Sequence, residues 1–115
     1  MTYEARVAAL QKRFSGAAAQ PPHERFAVQI TLTGSEAGTL YIANTERGFA
    51  VEPYDYRDHT AAMTVSGSDL TKLLAGTLKP ERAIARGLMS VEGDLSHIEL
   101  LGRIADPPVR RMKQE

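Results

Sequence analysis

The period of apolar and polar residues changes repeatedly along this chain, and each change marks an element. From Thr2 to Phe14 the apolar side chains Tyr3, Val7, Leu10 and Phe14 recur at spacings of four, three and four, with Glu4, Arg6, Lys12 and Arg13 between them. That spacing predicts an amphipathic helix. The stretch from Ser15 to Glu24 is small and polar and holds Pro21-Pro22, which cannot continue a helix, so a connector follows. Phe26, Val28, Ile30 and Leu32 then alternate with Ala27, Gln29 and Thr31, the period of a strand buried on one face. Gly34 to Gly38 supplies a turn, and Leu40 and Ile42 alternate with Thr39 and Tyr41 in a second strand. Asn44 to Gly48 leads into a third strand at Phe49 and Val51 that Pro53 closes. These three strands form an antiparallel meander.

The polar segment Tyr54 to His59 interrupts the alternation, and Ala61, Met63 and Val65 resume it as a fourth strand. Ser66 or Ser68 can cap a helix whose Leu70, Leu73 and Leu74 share one face until Gly76 stops it. Pro80 opens about one further turn through Arg86, and Gly87 ends it. Leu88 to Glu92 is a fifth strand, and Gly93-Asp94 turns the chain and caps a last helix striped by Leu95, Ile98, Leu101 and Ile104. Asp106-Pro107-Pro108 ends that helix. The expected architecture is α+β: a five-stranded, mostly antiparallel sheet covered on one face by helices, in one domain over residues 1–105. Residues 106–115 read as a charged, disordered tail.

Composition narrows the function. Of the 115 residues, 14 are Lys or Arg and 14 are Asp or Glu, so no net field recruits nucleic acid or an anionic membrane. The absence of cysteine removes disulfides, thiolate metal sites and a cysteine nucleophile together. No apolar run approaches the ~18 residues of a membrane span, and the charged start is unlike a signal peptide. A cytoplasmic location without stable membrane insertion is the expectation, and the final Lys-Gln-Glu is not the peroxisomal Ser-Lys-Leu address.

From Ala61 onward the chain reads AAMTVSGSDLTKLLAGTLKPERAIARGLMSVEGD. A strand ending in a small polar residue leads to an acidic-apolar helix start and a leucine helix closed by glycine. A proline-begun turn, a glycine, a strand and Gly-Asp follow. Ser66, Asp69, Leu70, Leu73, Leu74, Gly76, Pro80, Ala83, Gly87, Met89, Val91, Gly93 and Asp94 carry this order, which resembles the sterol carrier protein type 2 family. Two positions depart from it. Thr60 stands where the family usually has an aspartate, and Leu88 stands where a charged residue is usual, putting an apolar group on the outer face.

The resemblance implies an apolar cavity between sheet and helices that holds a sterol, a fatty acyl chain or another lipid. Its wall would be Phe26, Val28, Ile30, Leu40, Ile42, Phe49, Val51, Met63, Leu70, Leu73, Leu74, Ile84, Met89, Val91, Ile98 and Leu101. The same periodicity describes an ordinary packed core. An alternative within the family is an accessory subunit that presents a hydrophobic intermediate, such as a quinone precursor, to a biosynthetic enzyme. Leu88 would then serve as a docking patch, and an enzyme or a second copy of the chain as partner.

Candidate chemistry is sparse, and the expectation is a non-enzyme with no cofactor and no metal. Tyr54 to His59 gathers two carboxylates, an arginine and a histidine, but neighbours in one loop seldom converge on a metal, and a solvated, partly salt-bridged loop explains them. His23 and His97 are expected to be exposed, His97 on the polar side of the last helix. No nucleophile elbow or phosphate loop occurs, and Ser66 and Ser68 are accounted for as caps. A cone-shaped enzyme of the ketosteroid-isomerase kind would need an acid or a tyrosine inside its pocket. Tyr41 alternates with Leu40 and Ile42 and should face outward.

Overall fold

Alternation along the strands produces the expected one-sided sheet in the computed structural model, which describes residues 2–14, 24–46 and 48–105. The elements run α1 (Tyr3–Phe14), β1 (Ala27–Thr33), a single 3-10 turn (Gly34–Glu36), β2 (Gly38–Asn44), β3 (Phe49–Glu52), β4 (Ala61–Ser66), α2 (Gly67–Ala75), α3 (Pro80–Ala85), β5 (Met89–Gly93) and α4 (Leu95–Ala105). The predicted connector other than Glu24, His23 within it, and the tail from Asp106 lie outside the described residues.

The strand order is β3-β2-β1-β4-β5. The meander β1-β2-β3 is antiparallel, with Val28 opposite Ile42 and Ile42 opposite Val51. β4 then returns to the far side of β1 and pairs with it in parallel, Ile30 beside Met63, before β5 closes the other edge antiparallel to β4. The sheet is therefore mixed. A parallel return needs a crossover, and here it is residues 53–60 rather than a helix. That strap is held to the outer face, where the Tyr56 N–H donates to Gln29 Oε1 at 2.7 Å and the Tyr56 ring stacks on Tyr41 at 4.7 Å.

The inner face carries Val28, Ile30, Leu40, Ile42, Val51, Ala61, Met63, Val65 and Met89, all buried. Val7, Leu10 and Phe14 of α1, Leu70, Leu73 and Leu74 of α2, and Ile98 and Leu101 of α4 join them in one apolar cluster. The ends of α2 are set by local chemistry. The Asp69 N–H donates to the Ser66 hydroxyl at the start of α2, and Gly76 ends that helix at φ 82°, a left-handed conformation glycine adopts without strain.

Candidate ligand-binding site

The leucine face of α2 borders a groove of about 420 Å³ between α2, the turn that follows it, the start of α3 and α4, lined by Leu73, Leu74, Gly76, Leu78, Lys79, Pro80, Glu81, Glu99 and Gly102. Leu73, Leu74 and Leu78 are its apolar floor and belong to the core cluster. Gly102 brings the two helices close: a Cβ there would stand 3.2 Å from the Leu73 carbonyl oxygen. A second groove of about 310 Å³ lies on the other flank of α2 against α1, and Leu74 lines both. α2 thus has open space on either side.

Fifteen of the sixteen wall residues predicted from sequence gather in this one cluster, Phe49 and Val91 partly buried at its margin. Only Leu73 and Leu74 among them border the open groove. Ile84 is not brought in. It is 38% exposed, while its neighbour Ala83 is completely buried and turns the inner side of α3 onto the sheet. Leu78, which the sequence reading left out, is 7% exposed and helps form the floor. Leu88 is half-buried against the core and so does not stand out as an outer docking patch.

The position of α2 depends on a carboxylate with no sequence signal of its own. Glu36, in the turn between β1 and β2, is only 8% exposed and accepts from Arg6 of α1 at 2.6 and 3.1 Å. Arg6 also donates to the Thr71 hydroxyl of α2 at 2.7 Å. The Arg6 guanidinium holds the Glu36 carboxyl below its ordinary range against the opposing effect of burial. A lone glutamate in a turn of glycine and serine looks solvated, so only the structure reveals that it joins three elements.

His97 is also corrected. It is 4% exposed rather than solvated: its ring packs against Phe26 with centroids 5.1 Å apart, Nδ1 lies 2.7 Å from the Thr60 hydroxyl, and Nε2 lies 2.6 Å from Glu24 Oε2. In the Tyr54–His59 strap the contacts are local and largely to backbone. His59 Nδ1 is 2.6 Å from the Tyr56 carbonyl oxygen, and Arg25 donates to the Asp58 carbonyl oxygen. Tyr41 faces outward, and its phenol pKa is raised, first by burial under the strap and then by Glu52.

The sequence profile of the SCP-2 sterol transfer family matches residues 6–106. No curated protein matches the sequence. Among solved structures, the fold is similar to a protein described as UbiJ-SCP2 Ubiquinone synthesis protein, with a TM-score of 0.70, 17% identity, and 90% of this chain and 95% of that one covered. It is similar to Sterol Carrier Protein 2 Like 2 from Aedes Aegypti, with a TM-score of 0.64, 16% identity, and coverage of 88% and 94%. The inverting sec-alkylsulfatase Pisa1 from Pseudomonas sp. contains a similar region, with a TM-score of 0.63 and 10% identity over 70% of this chain, which spans 13% of that enzyme's length. At these identities the likeness is one of fold.

Proposed function

Because the chain belongs to the SCP-2 sterol transfer family, we propose that it binds one apolar molecule, a lipid or lipid-like metabolite, between the inner face of its sheet and helices α2 and α4. The observation that carries this reading is the groove of about 420 Å³ floored by Leu73, Leu74 and Leu78, three side chains that also belong to the apolar cluster on the sheet. Its volume falls in the range of roughly 300–1,000 Å³ typical of small-molecule sites. An acyl chain or ring system entering there meets Leu73, Leu74 and Leu78 beside the charged Lys79, Glu81 and Glu99, and the apolar area that it buries gains about 25 cal/mol per Å².

The wall behind the groove is closed: Val28, Ile30, Leu40 and Ile42 have no exposed surface. A ligand longer than the groove therefore lodges by parting α2 from α4 and replacing contacts between them. The open space on both flanks of α2 gives that helix room to shift. The function is binding and presentation rather than chemistry. Accessory service to an enzyme is a second reading, supported by the fold likeness to the ubiquinone synthesis protein over nearly the whole of both chains.

Titration of isotope-labelled, delipidated protein with a long-chain fatty acid tests the site by NMR. The largest shifts are expected at Leu73, Leu74, Leu78 and Gly102, spreading inward to Met63 and Met89. Saturable binding with shifts confined to the outer strap, Tyr54 to His59, would place the ligand elsewhere and overturn the assignment. Stoichiometric co-purification with one enzyme would favour the accessory reading over free carriage.

A further inference from the structure

His97 is the one residue on α4 whose polar ring atoms are both engaged from outside the helix, and its surroundings have the form of a metal-ligand set. Its Nε2 lies 2.6 Å from Glu24 Oε2 and 3.6 Å from Asp94 Oδ2. The three potential ligand atoms all fall within 4.8 Å of one another. Bonds of about 2.0–2.2 Å at tetrahedral angles to one zinc-like ion place its ligands roughly 3.3–3.6 Å apart. The 3.6 Å contact to Asp94 meets that range, and the 2.6 Å hydrogen-bonded contact to Glu24 reaches it by a shift of about 1 Å in an exposed side chain.

We propose that Glu24, Asp94 and His97 bind one divalent cation of the zinc class, with the imidazole nitrogen and two carboxylate oxygens as ligands and the remaining positions open to solvent. A nitrogen ligand favours zinc, cobalt or nickel over magnesium or calcium, which prefer oxygen alone.

Two of the three ligands, Asp94 and His97, are oriented by a second group. Asp94 divides its work: Oδ1 accepts from the Ser96 N–H at 3.0 Å and from the Ser96 hydroxyl, satisfying the start of α4, and Oδ2 is left toward His97. The first acceptor also offsets the positive end of the helix, which would otherwise repel a cation. The His97 ring is 4% exposed, fixed by Phe26 and by Thr60, so Nε2 is aimed outward at the two exposed carboxylates.

Thr60 suits His97 to either state of the site. A carboxylate can only accept, so without a metal the Nε2 proton goes to Glu24, and the direction of the contact between Nδ1 and the Thr60 hydroxyl follows the ring's tautomer. A metal on Nε2 requires the ring proton on Nδ1, where it must be donated. The Thr60 oxygen can take it, because its own proton can turn to the Ala27 carbonyl oxygen, 3.0 Å away. The hydroxyl therefore serves both tautomers with no side-chain movement. An apolar or purely accepting residue at position 60 would serve at most one of them.

The test is zinc titration of the tag-free full chain by calorimetry, with cobalt absorption and the His97 ring nitrogens followed by NMR. One equivalent should bind, and zinc should raise the melting temperature. Glu24→Gln and Asp94→Asn, both at exposed residues that leave the fold intact, should each weaken zinc by about tenfold or more. Cobalt should perturb Nε2 of His97 before any other histidine nitrogen. His59→Ala should bind as the wild type does. Absence of a saturable single equivalent, wild-type affinity in either carboxylate variant, or loss of binding in His59→Ala overturns the proposal.

Discussion

Glu36 lies so close to Gly67 that a Cβ on that glycine would sit 2.3 Å from the carboxylate. The contact places an acid from the β1-β2 turn directly against the first residue of α2, and Arg6 from α1 supplies the countercharge. Three elements remote in sequence are thereby fixed at the helix that borders the proposed ligand groove.

Stability should depend on the ionisation of Glu36. Arg6 lowers its folded pKa, so the stabilisation is present in full above the ordinary glutamate value of about 4.3 and is lost as pH falls through the lowered folded value. Glu36→Gln should cost about 1–3 kcal/mol near neutral pH, the scale of a charge-assisted bond in a mostly buried setting. Urea midpoints of both proteins across acid pH will show the gap narrowing below the ordinary glutamate range. A gap unchanged down to strongly acidic pH would contradict the role given to the charge.

Gly67→Ala should destabilise although alanine is the better helix former. The added methyl collides with a carboxylate that Arg6 prevents from swinging away, at a cost of about 1–3 kcal/mol. Gly48→Ala, where a Cβ meets nothing within 4 Å, should stay within about 0.5 kcal/mol of wild type. Pairing Gly67→Ala with Glu36→Ala should recover part of the loss, and additive penalties in chemical denaturation would refute the contact as its cause.

Met89 and Ile84 should respond oppositely to the same charge. Met89 is 5% exposed in the core and Ile84 is 38% exposed. Met89→Asp should unfold the domain or abolish lipid uptake, because a carboxylate there has no partner. Ile84→Asp should leave both nearly unchanged. Circular dichroism melts separate the two, and equal damage from Ile84→Asp would mean that α3 packs inward by its other face.

Regular periods made most of this fold legible. The strand alternation and the α1 and α2 stripes name the residues that meet in the core, and Ser66 and Gly76 bound α2 as cap chemistry predicts. Short or non-local features were not legible. α3 has only six residues, too few to phase, so Ile84 and Ala83 could not be ordered by period. His97 stands four residues before Leu101 and shares its stripe, a signal masked by reading the ring as polar; its burial depends on Thr60 and on Glu24, 73 residues away. The parallel β1-β4 pairing and the Arg6-Glu36 bridge likewise join segments that no local pattern connects.

On the proposed function, the space between the sheet and α2 and α4 accepts a ligand. Opening a void of about 300 Å³ there without filling it would forfeit on the order of 7 kcal/mol, comparable with a typical net stability of roughly 5–15 kcal/mol. Only an apolar occupant can hold the helices apart, and at one hundred times its dissociation constant it adds about 2.7 kcal/mol. The most direct measurement is the melting temperature of delipidated protein with a panel of acyl chains, sterols and quinones of graded size. At least one member should raise it by on the order of 10 °C, with the gain reduced in a Leu73→Asp protein that remains folded. A cooperative melt that no member of the panel shifts would mean a simply packed core and would contradict the lipid-binding account.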